Sequence, residues 1–335
     1  MPDDARIVAY ARHRDDGHLD DGHRDELVAV LHDLGATVTA VSTAEAATYS
    51  VLTLDVRLAS SALADELPGA FSKASADASP GVCADARFGG SADASPEVCA
   101  VRFHLARWTS ASGIGAALVG RPVYAPGPKL LIMDVDSTLI RQEVIELLAA
   151  HAGREAEVAA VTEAAMRGEL DFAQSLHHRV RTLAGLPRAV IDDVVGRIEL
   201  SDGAEDLVGA YLDAGHRVGV VSGGFSQVLT PLAERLQLSF VKANDLEIVG
   251  GVLTGRVLGA VVDRHEKERV LRAEADRSGV PLASTIAVGD GANDLDMLAA
   301  AGLGVAFNAK PAVRAAADAA LDLPDLDVVR HFAGL

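Results

Sequence analysis

The chain is short of three things. It has only two cysteines, Cys83 and Cys99, 4% aromatic residues, and 30 Lys and Arg against 48 Asp and Glu over 335 residues. Two cysteines are too few for a disulfide framework. With so few aromatics, Ala, Val and Leu must fill the core, and at 49% apolar there is enough material to do so. A net charge of −18 argues against nucleic acid and against an anionic membrane surface as partners. It also sets a condition. A site for an anion must recruit a metal ion, a helix N-terminus, or a few placed Lys and Arg. No apolar run approaches the roughly 18 residues that span a bilayer. The opening MPDDARIVAYARHRDD lacks the basic start and apolar core of a signal peptide, so the expected location is the cytoplasm. The length suits about two domains.

Residues 1–120 differ in texture from the rest. Ile7–Ala11 reads as a strand and Arg24–Leu34 as a helix, with Leu27, Val28, Val30 and Leu31 at helical spacing and Gly35 as its stop. Thr37–Thr43 and Tyr49–Val56 read as strands, Ser61–Phe71 as a second helix, and Val98–Leu105 as a fourth strand. The order β-α-β-β-α-β is that of a ferredoxin-like α+β domain. Inside it, SADASP at 75–80 recurs at 91–96, and Val82-Cys83 is answered by Val98-Cys99. Residues 75–97 therefore read as a duplicated loop, and the cysteines as its by-products rather than a metal or redox pair. Asp15-Asp16-Gly17-His18 is echoed by Asp20-Asp21-Gly22-His23. That loop has the donors of a transition-metal site, but a polar lead-in to the helix explains it better. Residues 121–129, RPVYAPGPK, read as a linker.

From residue 130 the pattern changes to buried runs separated by helices. Leu130–Val135, His216–Val221, Thr285–Val288 and Leu303–Phe307 are apolar runs of the kind that build a parallel α/β sheet. They end at acids, at Ser222-Gly223-Gly224, at Gly289-Asp290-Gly291 and at Asn308. Ligands bind at the carboxyl ends of such strands. Residues 142–211, too long for a crossover, read as an inserted helical cap. Residues 246–262, alternating around Gly250-Gly251, read as a hairpin flap.

Asp134 and Asp136 stand at i and i+2 on one side of a strand end. Carboxylates that close cannot both ionise comfortably without a cation, and a hard divalent ion, Mg²⁺ by default, resolves the conflict. One can then accept a phosphoryl group while the other moves a proton. Ser222 and the backbone N–H of Gly223 suit a phosphoryl oxygen. Lys267, read as beginning the helix 268–278, supplies positive charge, and Asp290, Asn293 and Asp294 close the third strand.

Together Asp134-x-Asp136-x-Thr138, Ser222, Lys267 and Gly289-Asp290-x-x-Asn293-Asp294 resemble the four motifs of the haloacid-dehalogenase-like superfamily, over roughly 130–335. The stretch from Asp134 to Glu143, and the segment from Ala165 to Val180, are similar to the phosphoserine phosphatase family within it. That resemblance implies a Rossmann-like parallel sheet with a helical cap, and hydrolysis of O-phospho-L-serine, the last step of L-serine biosynthesis. It implies Asp134 as nucleophile and Asp136 as general acid and base. Mg²⁺ would be held by Asp134, the Asp136 backbone carbonyl and Asp290, with Asp294 supporting them. Ser222, Gly223, Lys267 and Asn293 would hold phosphate, Glu143 the substrate ammonium and Arg179 its carboxylate, while Met166 and Phe172 line the cap. The N-terminal region resembles an ACT domain, which implies a serine effector and a homodimer. The same motifs would serve another small phosphomonoester or transfer to an alcohol. A non-catalytic amino-acid sensor is opposed by the intact Asp134 and Asp136.

Overall fold

The structure, a computed structural model, describes residues 4–13, 19–58, 96–166 and 171–335. Its first sheet has four antiparallel strands in the order β2-β3-β1-β4: β1 (Asp4–Arg12), β2 (Thr37–Glu45), β3 (Tyr49–Arg57) and β4 (Gly115–Gly120). Period-two alternation divides it into two faces. Ile7, Ala9, Leu52, Leu54 and Val56 face α1 (Asp21–Asp33) and α2 (Pro96–Ser112), meeting Leu27, Leu31, Val101, Leu105 and Trp108. With one helix after β1 and another before β4, the layout is ferredoxin-like.

Two expectations about this region change. Val98–Leu105 is helical, part of α2, and the fourth strand is Gly115–Gly120. Ala100, Val101, Leu105 and Trp108 are the buried residues of that segment, a helical spacing that a window ending at Leu105 cuts short. The acidic loop acts as a cap: Asp20 accepts a hydrogen bond from the His23 backbone N at 2.9 Å, and its carboxylate lies 2.7 Å from His23 Nδ1. No histidine joins a cluster of metal-ligating groups among the described residues. Cys99 is disulfide-bonded, which the by-product reading does not anticipate. Residues 15–18, the helix expected at 61–71 and the repeat up to residue 95 lie outside the described residues.

The other face of the sheet is also covered. Val8, Tyr10, Tyr49, Val51, Ala117 and Val119 belong to the same core as Leu321, Val328, Val329 and Phe332 near the C-terminus. Tyr10 stacks edge-on against Phe332 at 5.8 Å and donates to the Ala320 carbonyl at 2.6 Å. Tyr49 donates to Asp327 at 2.6 Å, Thr48 to Asp325, and Arg102 pairs with Asp318 at 2.8 Å. The segment expected as a linker contains a helical turn, α3 (Arg121–Tyr124), and Arg6 lies over the Tyr124 ring.

The second sheet has seven strands, with β5 (Leu130–Met133) between β9 (Thr285–Gly289) and β6 (Arg217–Phe225), all parallel. Beyond β9 lie β10 (Leu303–Phe307) and β11 (Ala319–Leu321). Beyond β6 lie β7 (Phe240–Val249) and the antiparallel β8 (Val252–Leu258). Apolar side chains on both faces pack against helices, as parallel sheets require. β6 does not stop at Val221: its pairing with β7 shifts register and resumes at Phe225, and the next helix starts at Ser226.

The chain leaves the sheet after β5 at Ile140 and returns at Leu200, where those two residues form an isolated bridge. Four helices lie between: α4 (Val144–Ala152), α5 (Glu155–Met166), α6 (Phe172–Arg181) and α7 (Ala189–Val195). The next helix, Ala204–Asp213, was expected within the cap. It follows the return crossing, and its Leu207 and Tyr211 are buried in the main core. The β7–β8 hairpin turns through Gly250 and Gly251, both with positive φ. It is tied to the cap by backbone bonds from Gly185 N to Leu253 O at 2.8 Å and from Leu253 N to Leu186 O at 2.9 Å.

Candidate active site

β5 is buried along its whole length and delivers Asp134 at its carboxyl end. A single wide turn, Val135–Leu139, follows, with Asp136 extended and Ser137 left-handed (φ 58°, ψ 6°). Asp134 Oδ1 accepts a hydrogen bond from Val135 N at 2.7 Å and lies 2.8 Å from Lys267 Nζ. Lys267 comes from the first turn of the helix Arg264–Ser278, which starts earlier than expected because Asp263 caps it by accepting from Glu266 N. The lysine is fully buried, and its Nζ also lies 2.6 Å from Asp294 Oδ1. Asp294 Oδ2 accepts from Gly291 N at 3.0 Å. Gly289 is required for this packing, since a Cβ there would stand 2.5 Å from the Asp294 carboxyl carbon.

Asp290 completes the group, accepting from Thr138 Oγ1 at 3.4 Å. Each of Asp134, Asp290 and Asp294 offers a carboxylate oxygen within 4.8 Å of the others. Three acids therefore share one lysine. Burial, then the charge of Asp294, pushes the Asp134 carboxyl well above its ordinary range. The same two influences push Asp290 up to about 6. Burial works against the charged form of Lys267, but the Asp134 and Asp294 carboxylates outweigh it and hold the ammonium more firmly than usual. These opposite-looking results have one origin, an excess of negative charge in a place with little water. A divalent cation with oxygen ligands fits such a donor set.

Asp136 sits beside this group. Its Oδ1 accepts from Val144 N at 2.9 Å and its Oδ2 from Ser222 Oγ at 3.4 Å. Burial and the charge of Glu143 push its carboxyl up to about 7. Ser222 Oγ in turn accepts from Gly224 N at 2.7 Å. Gly223 lies under the cap: a Cβ there would meet the Phe172 ring at 2.8 Å. Asn244 is a residue that sequence reasoning missed. Buried on β7, it donates to the Gly223 carbonyl at 2.8 Å and accepts from Val262 N at 2.8 Å, fixing the Ser-Gly-Gly turn from behind.

From the cap side, Glu143 accepts from Ser137 Oγ at 2.8 Å. Arg179 is half-buried on α6, and its buried Nε has no hydrogen-bond partner among the described residues. Burial lowers its guanidinium pKa despite the charges of Glu143, Asp136 and Glu146. Asn293 lies in the helical turn Ala292–Asp294, between Asp290 and the lysine-bound Asp294. The Met166 side chain lies outside the described residues.

A family model for haloacid dehalogenase-like hydrolases matches residues 131–299, half of the chain, and the chain belongs to that family. Within it, the chain is 57% identical over 235 residues to a phosphoserine phosphatase of Streptomyces coelicolor, covering 70% of this chain and 57% of the relative. It spans about half the length of the first curated relatives it matches. A probable phosphoserine phosphatase from Vibrio cholerae, in unliganded form, is similar at TM-score 0.69 and 29% identity, over 98% of this chain and 86% of its own. A structure described as a phospho-aspartyl intermediate analogue of phosphoserine phosphatase is similar at TM-score 0.58 and 40% identity, over 62% of this chain and 99% of its own.

Proposed function

We propose that the chain hydrolyses O-phospho-L-serine to L-serine and phosphate through a phosphoryl group carried on Asp134. The observation that carries this reading is that Glu143 and Arg179, of opposite charge, both interact with Asp136, which itself neighbours the buried Asp134–Lys267 pair. Phosphoserine has an ammonium and a carboxylate besides its phosphate, and those two residues offer the matching charges. The names of the similar proteins agree with this.

Asp134 and Asp290, with the Asp136 backbone carbonyl and with Asp294 supporting them, would hold Mg²⁺. When bound, the ion supplies positive charge to the acid cluster and to the transferring phosphoryl oxygens. The chain's own residues do the rest. Val135 N and Lys267 both engage Asp134 Oδ1, which leaves Oδ2 for attack on phosphorus. As the Asp134–phosphorus bond forms and the bond to the serine oxygen breaks, Asp136 donates its proton to that oxygen. A carboxyl held at about 7 is suited to donate near neutrality and afterwards to accept. Asp136 then takes a proton from water as the water attacks phosphorus, releasing phosphate and restoring Asp134. Ser222, the Gly223 N–H, Lys267 and Asn293 hold the phosphoryl oxygens, and positioning of this kind supplies most of the catalysis in phosphoryl transfer. Phe172, whose ring lies against Gly223, closes the cap over the substrate and excludes water from the first step.

The N-terminal sheet, in this reading, is an ACT-like module that senses serine and supports a homodimer in the cytoplasm, its ferredoxin-like strand order being the support. Phosphate release from a panel of small phosphomonoesters with Mg²⁺ tests the main proposal. Phosphoserine should lead the panel in kcat/KM, and a clear preference for an ester lacking the ammonium would overturn it.

A further inference from the structure

Ser137 stands in the left-handed region, a backbone conformation that glycine adopts freely and that side chains bearing a Cβ rarely do. Backbone demand alone would place glycine there. Among the described residues the serine hydroxyl makes one hydrogen bond, donating to Glu143 Oε1 at 2.8 Å. Glu143 occupies the N-cap position of α4, yet its side chain makes no cap hydrogen bond. It turns back over the catalytic turn, toward Asp136. A second bond, Ser137 N to Gln142 O at 3.3 Å, closes the same loop.

We infer that Ser137 is a positioning residue that aims the Glu143 carboxylate at the substrate ammonium, and so selects 2-aminoalkyl phosphomonoesters. This rests on the reading of Asp136 and Glu143 given above. Asp136 and Ser137 are adjacent in one tight turn. The group that protonates the ester oxygen and the group that aims the ammonium acceptor are therefore fixed relative to each other. In phosphoserine those two substrate atoms are separated by two carbons, a short, defined span. One oxygen of Glu143 is occupied by the hydroxyl, which leaves Oε2 for the ammonium. Without the hydroxyl, attraction to the Arg179 guanidinium draws the carboxylate out of place.

The test uses the full chain with Ser137→Gly, Ser137→Ala and Ser137→Asn, assayed on O-phosphoserine and on p-nitrophenyl phosphate, which has no ammonium. Ser137→Gly relieves the backbone while removing the hydroxyl, so a loss in that variant does not come from strain. The expected result is a fall of about tenfold in the ratio of kcat/KM for phosphoserine over p-nitrophenyl phosphate in the Gly and Ala variants, mainly through KM. Ser137→Asn, which tolerates the left-handed region and offers an N–H donor, should recover part of that ratio. An unchanged ratio in both Gly and Ala, with wild type still preferring phosphoserine, overturns the inference alone. Equal losses on both substrates in Ser137→Gly also overturn it, since the residue would then act on Asp136. A wild type with no preference for phosphoserine overturns the proposed function itself.

Discussion

Arg179 carries a cost in the protein that its substrate should remove, and this makes it the most informative position to change. Its buried Nε has no partner among the described residues, and burial lowers its pKa even though three acids stand near. The charged guanidinium is thus less favourable here than in water. A buried donor left unsatisfied costs about 1–3 kcal/mol. Arg179→Met keeps most of the apolar stem and removes the donor and charge. The variant should unfold in urea no more easily than wild type, and up to about 1–3 kcal/mol less easily. Activity should move the opposite way. A substrate carboxylate left unpaired under a closed cap costs about 2–5 kcal/mol, so kcat/KM for phosphoserine should fall about 30-fold or more. p-Nitrophenyl phosphate, without a carboxylate, should lose far less. Earlier unfolding by more than about 1 kcal/mol would refute the stability argument. Equal loss on both substrates would assign Arg179 to the phosphate, and no loss on either would remove it from the site.

Asp134→Asn should abolish phosphate release, because an amide cannot form the acyl phosphate; near-normal turnover would exclude the covalent route. Chelation with EDTA should silence the protein and Mg²⁺ restore it, while Ca²⁺, tolerating more ligands, should inhibit by tying up both Asp134 oxygens. Full activity in excess chelator would sink the metal assignment. His331 gives a pH prediction outside the site. Burial, then Arg330, lowers its pKa from 6.5 to about 4, so the unfolded chain takes up the proton first. The stability that depends on neutral His331 is complete above about pH 6.5 and is lost as pH falls toward 4, by about 1–3 kcal/mol after allowing for partial exposure. Urea unfolding of wild type and His331→Gln should therefore converge between pH 7 and pH 5, and a constant gap would refute it.

Much of the site was legible because strands deliver it. Asp134, Ser222 and Asp290 follow apolar runs, and a parallel sheet brings such run ends to one edge. What sequence could not give is whatever depends on backbone shape. Ser137 carries no local sign of positive φ. Asn244 is one of several polar residues in β7, and only the fold brings it the Gly223 carbonyl and the Val262 N–H. The start of the Lys267 helix was available, since Asp263 followed three residues later by Glu266 is a capping pattern. The fourth N-terminal strand was missed because Gly115–Gly120 has few β-branched residues, while the apolar run before it draws attention and turns out helical.

The covered face of the N-terminal sheet was also written in the chain. A strand with one wet face alternates, but Ile7-Val8-Ala9-Tyr10-Ala11 has no solvent position, and all five residues are buried. The second cover is the C-terminal segment, and that segment reaches the catalytic turn. Thr48 and Tyr49 bond to Asp325 and Asp327. Leu326 N donates to Asp202 O at 2.7 Å. Gly203 packs so closely on this loop that a Cβ would stand 2.7 Å from Asp327 N. Ser201, one residue earlier than Asp202 and beside the cap crossing, donates to the Thr138 carbonyl at 2.6 Å. Removing the N-terminal sheet would therefore expose Phe332 and Leu321 and leave Asp327 without its tyrosine, whatever it did to an effector. Loss of activity in such a truncation would report a broken core. Regulation by the sheet has to be sought in the full chain, where Thr48→Val and Tyr49→Phe keep the buried apolar cover and remove only the hydroxyl bonds to Asp325 and Asp327.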